Sequence, residues 1–261
     1  MTSREIRYNL DTQVIGREIE IYDRLESTND VALRCGIEGA TEGKLILAEH
    51  QTAGRGRRGR IWHSSPKSSL LASLVLRHRL LANQVGLPNL MGALSIAAAI
   101  RDVVQLPATI KWPNDVMING KKTSGVLTEL EYDRHKRPFF VVGFGVNVNL
   151  LVADFPFPVR SLATSLQIES GKEVSRVEVL CAILHHLERN YAHFKRGNTS
   201  VITEKAATFS ATLGRCVRIE TANETVSGRA ERIDSEGRLV LRERAGRLLT
   251  FMNGEIIHMN D

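Results

Sequence analysis

Asn119-Gly120 is the feature that most limits the folds open to this chain. An Asn-Gly pair tolerates positive φ at both positions and so closes a two-residue β-hairpin. It separates Val116-Met117-Ile118 from a β-branched segment ending at Leu130, so part of the sheet must be antiparallel. Other short apolar runs bounded by turn residues predict strands at 45–49, 70–76, 108–112, 126–130 and 139–148. The alanine-rich stretch 91–104 has no breaker after Gly92 and predicts a largely buried helix. Ser175 and Glu178 spell a capping box, and the apolar positions of 177–194 then share one helical face until Gly197.

After about residue 212 the texture changes. Short strands are expected at 217–220, 225–233, 239–241, 248–251 and 255–258, with turns at 222–224, 234–237, 245–246 and 253–254. This predicts a barrel of about five strands. A module of that size is marginal alone, so 213–261 should pack on the larger unit 1–212.

The composition is that of an ordinary globular protein: 43% hydrophobic and 25% charged over 261 residues, which excludes disorder or coiled coil as the main state. There is no apolar leader and no membrane-length apolar run, so a cytoplasmic protein without membrane partners is expected. Cys35, Cys181 and Cys216 are far apart and odd in number, which speaks against a disulfide framework or zinc site and reads as buried or inert thiols. His185-His186 reads as a helix-edge pair, and Glu129 with Glu131 as a solvated strand face.

The net charge is +6, and Arg55, Arg57, Arg58 and Arg60 supply four of those units, whereas 213–261 holds eight arginines against eight acids. Nucleic-acid faces are spread along an element or a domain; one compact basic loop suits a small anion. In Gly54-Arg55-Gly56-Arg57-Arg58-Gly59-Arg60 the glycines let backbone approach a ligand, and the guanidiniums are bidentate donors for phosphate or carboxylate. An RNA-touching tract or a solvated loop explains the segment alone equally well. No helix follows it, so its GxGxxG spacing is not a dinucleotide fingerprint. Repulsion among four arginines predicts a loop that stays open until an anion binds, then closes and excludes water.

Lys111-Trp112-Pro113-Asn114-Asp115 ends a strand, since proline cannot donate in a ladder; Asn114 and Asp115 should sit at an exposed turn. Lys111 is a point-charge phosphate binder, Asn114 offers donor and acceptor, and Asp115 can hold Mg²⁺ or accept a proton. A plain Asx turn with a solvated lysine is the competing explanation. Lys122, after the hairpin, adds a second cation near the same sheet edge.

Five motifs in one order closely resemble the biotin protein ligase family: Ser27-Thr28-Asn29; Gln51-Thr52-Ala53 leading into GRGRRGR and Trp62; KWPND at 111–115; Lys122 with Gly125; and Gly143-Phe144-Gly145-Val146-Asn147. A looser likeness continues through 248–256. The resemblance implies an α+β fold, with a mixed, largely antiparallel sheet of the class II aminoacyl-tRNA synthetase kind and a C-terminal SH3-like barrel. It implies an enzyme that joins biotin to ATP as biotinyl-5′-AMP, then passes biotin to a lysine of a biotin carboxyl carrier domain. By resemblance Ser27, Thr28, Asn29, Gln51, Gly54, Arg55, Lys122, Gly125 and Gly143 would meet biotin. Arg55, Arg57, Arg58, Trp62, Lys111, Asn114, Asp115 and Asn147 would meet ATP or the adenylate, with Trp62 over adenine and Asp115 aiding Mg²⁺. Arg57, Lys111, Asp115 and Lys122 would carry the chemistry. Only 26 residues precede Ser27, too few for a winged helix-turn-helix, so no DNA partner is expected; a homodimer stays open. Lipoate-type ligases or octanoyl transferases, a non-catalytic sensor and an RNA-binding module are the alternatives.

Overall fold

The computed structural model describes residues 1–80, 84–221 and 224–259; the turn expected at 222–224 lies partly outside them. Seven strands build the main sheet: β1 (Ile19–Tyr22), β2 (Leu45–Ala48), β3 (Ser69–Leu76), β4 (Thr109–Lys111), β5 (Asp115–Ile118), β6 (Lys121–Tyr132) and β7 (Pro138–Asn147). Their order is β1-β2-β3-β7-β6-β5-β4. β1 runs parallel to β2, and every other neighbouring pair is antiparallel. Asn119 and Gly120 take φ of 50° and 77° and join β5 to β6, as their chemistry requires.

β7 divides the two faces by strict alternation. Phe140, Val142, Phe144 and Val146 enter the main core beneath α3 (Leu87–Val103) and α5 (Arg176–Lys195). Helix α3 begins four residues before the expected start, and its Gly92 lets it settle on β6: a Cβ there would come within 2.8 Å of Val126. On the opposite face Phe139 and Val141 pack under α2 (Thr28–Ile37) with Val31, Ala32, Ile46 and Val75. Further along that face β7 presents Gly143, Gly145 and Asn147, so the apolar layer gives way to a hollow.

Ser175 accepts the N–H of Glu178 at 3.3 Å and starts α5; the full reciprocal box lies instead at Thr2 and Glu5, on the unanticipated α1 (Ser3–Asn9). Cys181 is buried and Cys35 half-buried, but Cys216 is exposed, contrary to expectation. Among the described residues no helix is long and apolar enough to cross a membrane.

The C-terminal sheet comprises β8 (Cys216–Glu220), β9 (Thr225–Ile233), β10 (Leu239–Arg242), β11 (Leu248–Phe251) and β12 (Glu255–His258), ordered β11-β10-β9-β8-β12 and antiparallel throughout. It shares the main core through Val217, Ile219, Leu239 and Leu241. Trp112 of KWPND, 2% exposed, donates its indole N–H to the carbonyl of Gly237 at 2.9 Å.

Candidate active site

A cavity of about 440 Å³ opens on the glycine-bearing face of the main sheet. Its floor is backbone: Gly125 and Gly145 are cross-strand partners, and Leu127 pairs with Gly143. A Cβ on Gly143 would fall 1.8 Å from Asn29 Oδ1, and one on Gly145 would fall 2.4 Å from the Trp62 ring. Neither strand position tolerates a side chain, because the space belongs to groups from other elements. Every residue to which the resemblance assigns a binding or catalytic role lines this cavity except Gly54. Gly54 lies just behind the wall, its carbonyl accepting the Trp62 N–H at 2.9 Å.

At the β3 side the start of α2 supplies a polar rim. Ser27 is in extended conformation and makes no capping hydrogen bond, so its hydroxyl is free to face the cavity. Thr28 donates both its N–H (2.7 Å) and its hydroxyl (2.9 Å) to Gln51 Oε1. Ser73 on β3, which no motif suggested, has its hydroxyl 2.7 Å from Thr28 Oγ1 and 2.6 Å from Asn29 Oδ1. Asn29 donates to Glu129 at 2.6 Å, and Arg55 reaches the two oxygens of the same carboxylate at 3.1 and 3.2 Å while meeting Asp30 at 2.5 Å. Glu129 is therefore part of the site, which corrects the reading of it as a solvated strand face; Glu131 is exposed as expected. The miss has a reason: strand periodicity gives a residue's face, not whether a loop folds over that face.

At the β4–β5 side the cations gather. Asn114 is 8% exposed and Asp115 opens β5, so the exposed turn expected there is instead a wall of the cavity. Asn114 donates to the carbonyl of Val126 at 2.9 Å and accepts from Arg57 at 2.8 Å. Asp115 and Lys122 form a 2.6 Å ion pair, and the Lys122 ammonium stands 5.7 Å from the Trp62 ring centroid. Burial pushes the Lys111 ammonium below the ordinary lysine range, with the Asp115 carboxylate opposing it in part; burial lowers Arg57 as well, again against the opposing pull of Asp115. Groups of this kind, desolvated and cationic, favour a polyanion that completes their pairing. Two buried polar atoms on the lining, Trp62 Nε1 and Asn147 Oδ1, have no hydrogen-bond partner among the described residues; the Asn147 amide donates to Thr164.

The arginine loop does not splay. Arg55 meets Asp30 and Glu129, Arg57 meets Asn114, Arg58 donates to the Glu220 carbonyl at 2.6 Å, and Arg60 is ion-paired with Glu255, which also lies 3.6 Å from Arg58. Mutual repulsion, the basis for expecting an open loop, is offset by the carboxylates of Asp30, Glu129 and Glu255, which the fold brings in from distant positions. Arg58 holds a left-handed conformation (φ 56°), a cost of about 1–2 kcal/mol for a non-glycine residue, maintained by its contacts with the C-terminal sheet.

Comparisons with known proteins identify the family. Residues 21–147 match the model of the biotin/lipoate A/B protein ligase family, and 212–259 match the biotin protein ligase C-terminal domain. The bifunctional ligase/repressor BirA of Bacillus subtilis is 35% identical over 94% of this chain and 76% of its own length. The biotin--[acetyl-CoA-carboxylase] ligase of Mycobacterium tuberculosis is 30% identical over 96% and 94%. A biotin protein ligase from Aquifex aeolicus, solved in complex with biotin and ATP, superposes with a TM-score of 0.81 at 28% identity, covering 94% of this chain and 100% of that one. With a mixed sheet, a C-terminal antiparallel sheet and relatives of this kind along nearly its whole length, the chain belongs to the biotin protein ligase family and is a ligase.

Proposed function

We propose that this enzyme activates biotin with ATP and transfers it to a lysine of a biotin carboxyl carrier domain, with 1–212 as the catalytic unit and 213–261 as the barrel that braces it. The carrying observation is that one cavity holds both a neutral hydrogen-bonding rim and a cluster of desolvated cations. The rim of Ser27, Thr28, Asn29 and Gln51 suits a cyclic urea, and such polar groups reject analogues that leave them unpaired.

In the first step a biotin carboxylate oxygen attacks the α-phosphorus of ATP, the bond to pyrophosphate breaks, and biotinyl-5′-AMP forms. Arg57 and Lys111, with Arg55 and Arg58 at the loop, neutralise phosphate charge, each well-placed donor supplying about 3 kcal/mol of transition-state stabilisation. Trp62 offers its ring to adenine, and Asn114 and Asn147 orient the nucleotide. Among the described residues no three potential ligands form a metal cluster. Asp115 is a single carboxylate, a donor set that fits Mg²⁺ carried in by the triphosphate, since Mg²⁺ takes one or two carboxylates plus phosphate oxygens. Mg²⁺ would supply further neutralisation of that phosphate charge. In the second step the neutral ε-amine attacks the anhydride carbonyl, the bond to AMP breaks, and a proton leaves the nitrogen. Lys122 neutralises the carbonyl and phosphate oxygens, and Asp115 stands beside it to receive that proton.

The test is incubation with biotin, ATP, Mg²⁺ and a carrier domain, read by intact mass, with thermal-shift comparison of biotin and lipoate. A carrier heavier by one biotinyl group and a shift with biotin alone are expected; a lipoyl adduct or an unmodified carrier overturns the reading.

A further inference from the structure

Resting on the transfer reaction described above, we propose that the segment 151–162, at the mouth of the cavity, is the docking surface for the carrier domain, with Phe157 as its anchor. The segment exposes side chains that folding normally hides: Phe157 is 85% and Leu162 65% exposed, and Leu151 and Val152 are exposed as well. Apolar clusters of this sort on a protein surface mark places where another molecule sits.

Three observations say which molecule. Phe155, Val159 and Leu162 line the cavity, so the segment forms one edge of its opening. It is also stitched to the main chain of Lys122, which donates its N–H to the Leu162 carbonyl at 2.8 Å and accepts the Thr164 N–H at 2.9 Å. A partner seated on the segment is thereby registered against the ammonium that meets the anhydride in the second step. Phe157 itself stands outside the cavity lining, so a nucleotide or biotin held within leaves it uncovered. Covering it takes something larger, and the carrier domain is the macromolecule that the reaction brings to this opening.

Phe157 is presented rigidly. Pro156 and Pro158 restrict the backbone on either side of it, and the Pro156 carbonyl accepts the N–H groups of Val159 and Arg160 at 3.0 and 3.1 Å. The Arg160 guanidinium donates to the carbonyls of Ala153 and Phe155 and ties the segment to itself. An aromatic anchor fixed before binding has little conformational freedom left to lose on docking.

The experiment measures biotin transfer to the carrier domain of a biotin-dependent acetyl-CoA carboxylase and, separately, pyrophosphate release without carrier. Phe157→Ser should raise the KM for the carrier about tenfold with kcat within about twofold, and leave the KM values for biotin and ATP unchanged. Transfer to hydroxylamine, which has no surface to dock, should keep the parental rate. Phe157→Leu should recover most of the loss, whereas Tyr8→Ser, which removes an equally exposed aromatic on α1, should change nothing. Val152→Ser should raise the carrier KM too, and it decides the matter if Phe157→Ser does not fold. A parental carrier KM in the folded variants overturns the proposal while leaving the transfer reaction intact. So does a raised KM for ATP with an unchanged carrier KM, which would make the segment a cover for the nucleotide. A loss of dimer in sedimentation with an unchanged carrier KM overturns it as well, seating a second copy of the chain there. A parent that transfers no biotin to the carrier overturns the reading beneath this proposal, and the proposal with it.

Discussion

Arg57 Nη1 donates a 2.8 Å hydrogen bond to Asn114 Oδ1, tying the arginine loop to the KWPND turn. Since Asn114 is anchored in turn to the Val126 carbonyl, this contact fixes the loop to the sheet as well as to its own neighbours. Arg57→Gly removes the contact and adds backbone freedom. A hydrogen bond from a charged donor contributes about 1.5–3 kcal/mol, so retention of the acyl adenylate should weaken roughly ten- to a hundredfold. Labelling of bystander lysines in a mixed-protein sample should rise accordingly. Bystander labelling no higher than that of the parent would show that the loop does not hold the intermediate.

Lys111→Ala should slow pyrophosphate release on the order of 10²-fold, the loss expected when a donor aimed at developing charge is removed. The pH profile adds a check. Burial lowers the Lys111 pKa from 10.5, and the working ammonium exists below that lowered value. Activity must therefore fall as pH rises through it, placing the alkaline limb below that of an ordinary lysine. Asp115→Asn removes the carboxylate that partly restores the charged form and should move the limb lower still. Initial rates across alkaline buffers read both shifts.

Trp112→Phe keeps the ring's bulk but deletes the N–H that meets Gly237. Leaving that carbonyl unpaired in a buried contact costs about 1–3 kcal/mol. At roughly 2–4 °C per kcal/mol for a chain of this size, calorimetry should show a fall of several degrees in Tm. Limited proteolysis should then cut first between the two sheets.

Asp133, in the turn joining β6 to β7, carries a pH signature of its own. Burial alone would raise it, but the N–H groups of Arg137 and His135 and the Arg137 guanidinium outweigh burial and bring its pKa from 3.8 to about 2. A depressed carboxylate stabilises the fold above its unfolded value, and that contribution is lost as pH falls from about 3.8 towards 2. Acid titration followed by circular dichroism should show Asp133→Asn with a flatter stability curve in this window and a lower plateau above it.

Much of the architecture could be read from residues whose chemistry is local. Asn119-Gly120 announced its hairpin, and the five C-terminal strands fell between their turns, because positive φ and turn propensity need no distant partner. Helix α2 escaped notice since its first turn, Ser27-Thr28-Asn29, is polar for the sake of the cavity and not of a core. Asp30, Ser73, Glu129 and Glu255 were missed for a shared reason. Each acts through a partner between 25 and 197 residues away in sequence, and nothing in a strand's alternation reveals what will fold across it. Gly143 and Gly145 were recognisable as a motif, yet the cause of their smallness, a carboxamide and an indole brought in from elsewhere, became visible only in three dimensions.

The glycine floor on β7 also bears on which analogues the enzyme can accept. No rotamer change can deepen a cavity whose base is main chain, and that strand is laddered to β3 on one side and β6 on the other. A ring system slightly too thick would have to bow the middle of a seven-stranded sheet. Tolerance towards bulkier groups lying on this floor should therefore end as a sharp threshold in thickness, whereas variation in parts of a ligand that clear the floor should be met with gradual loss.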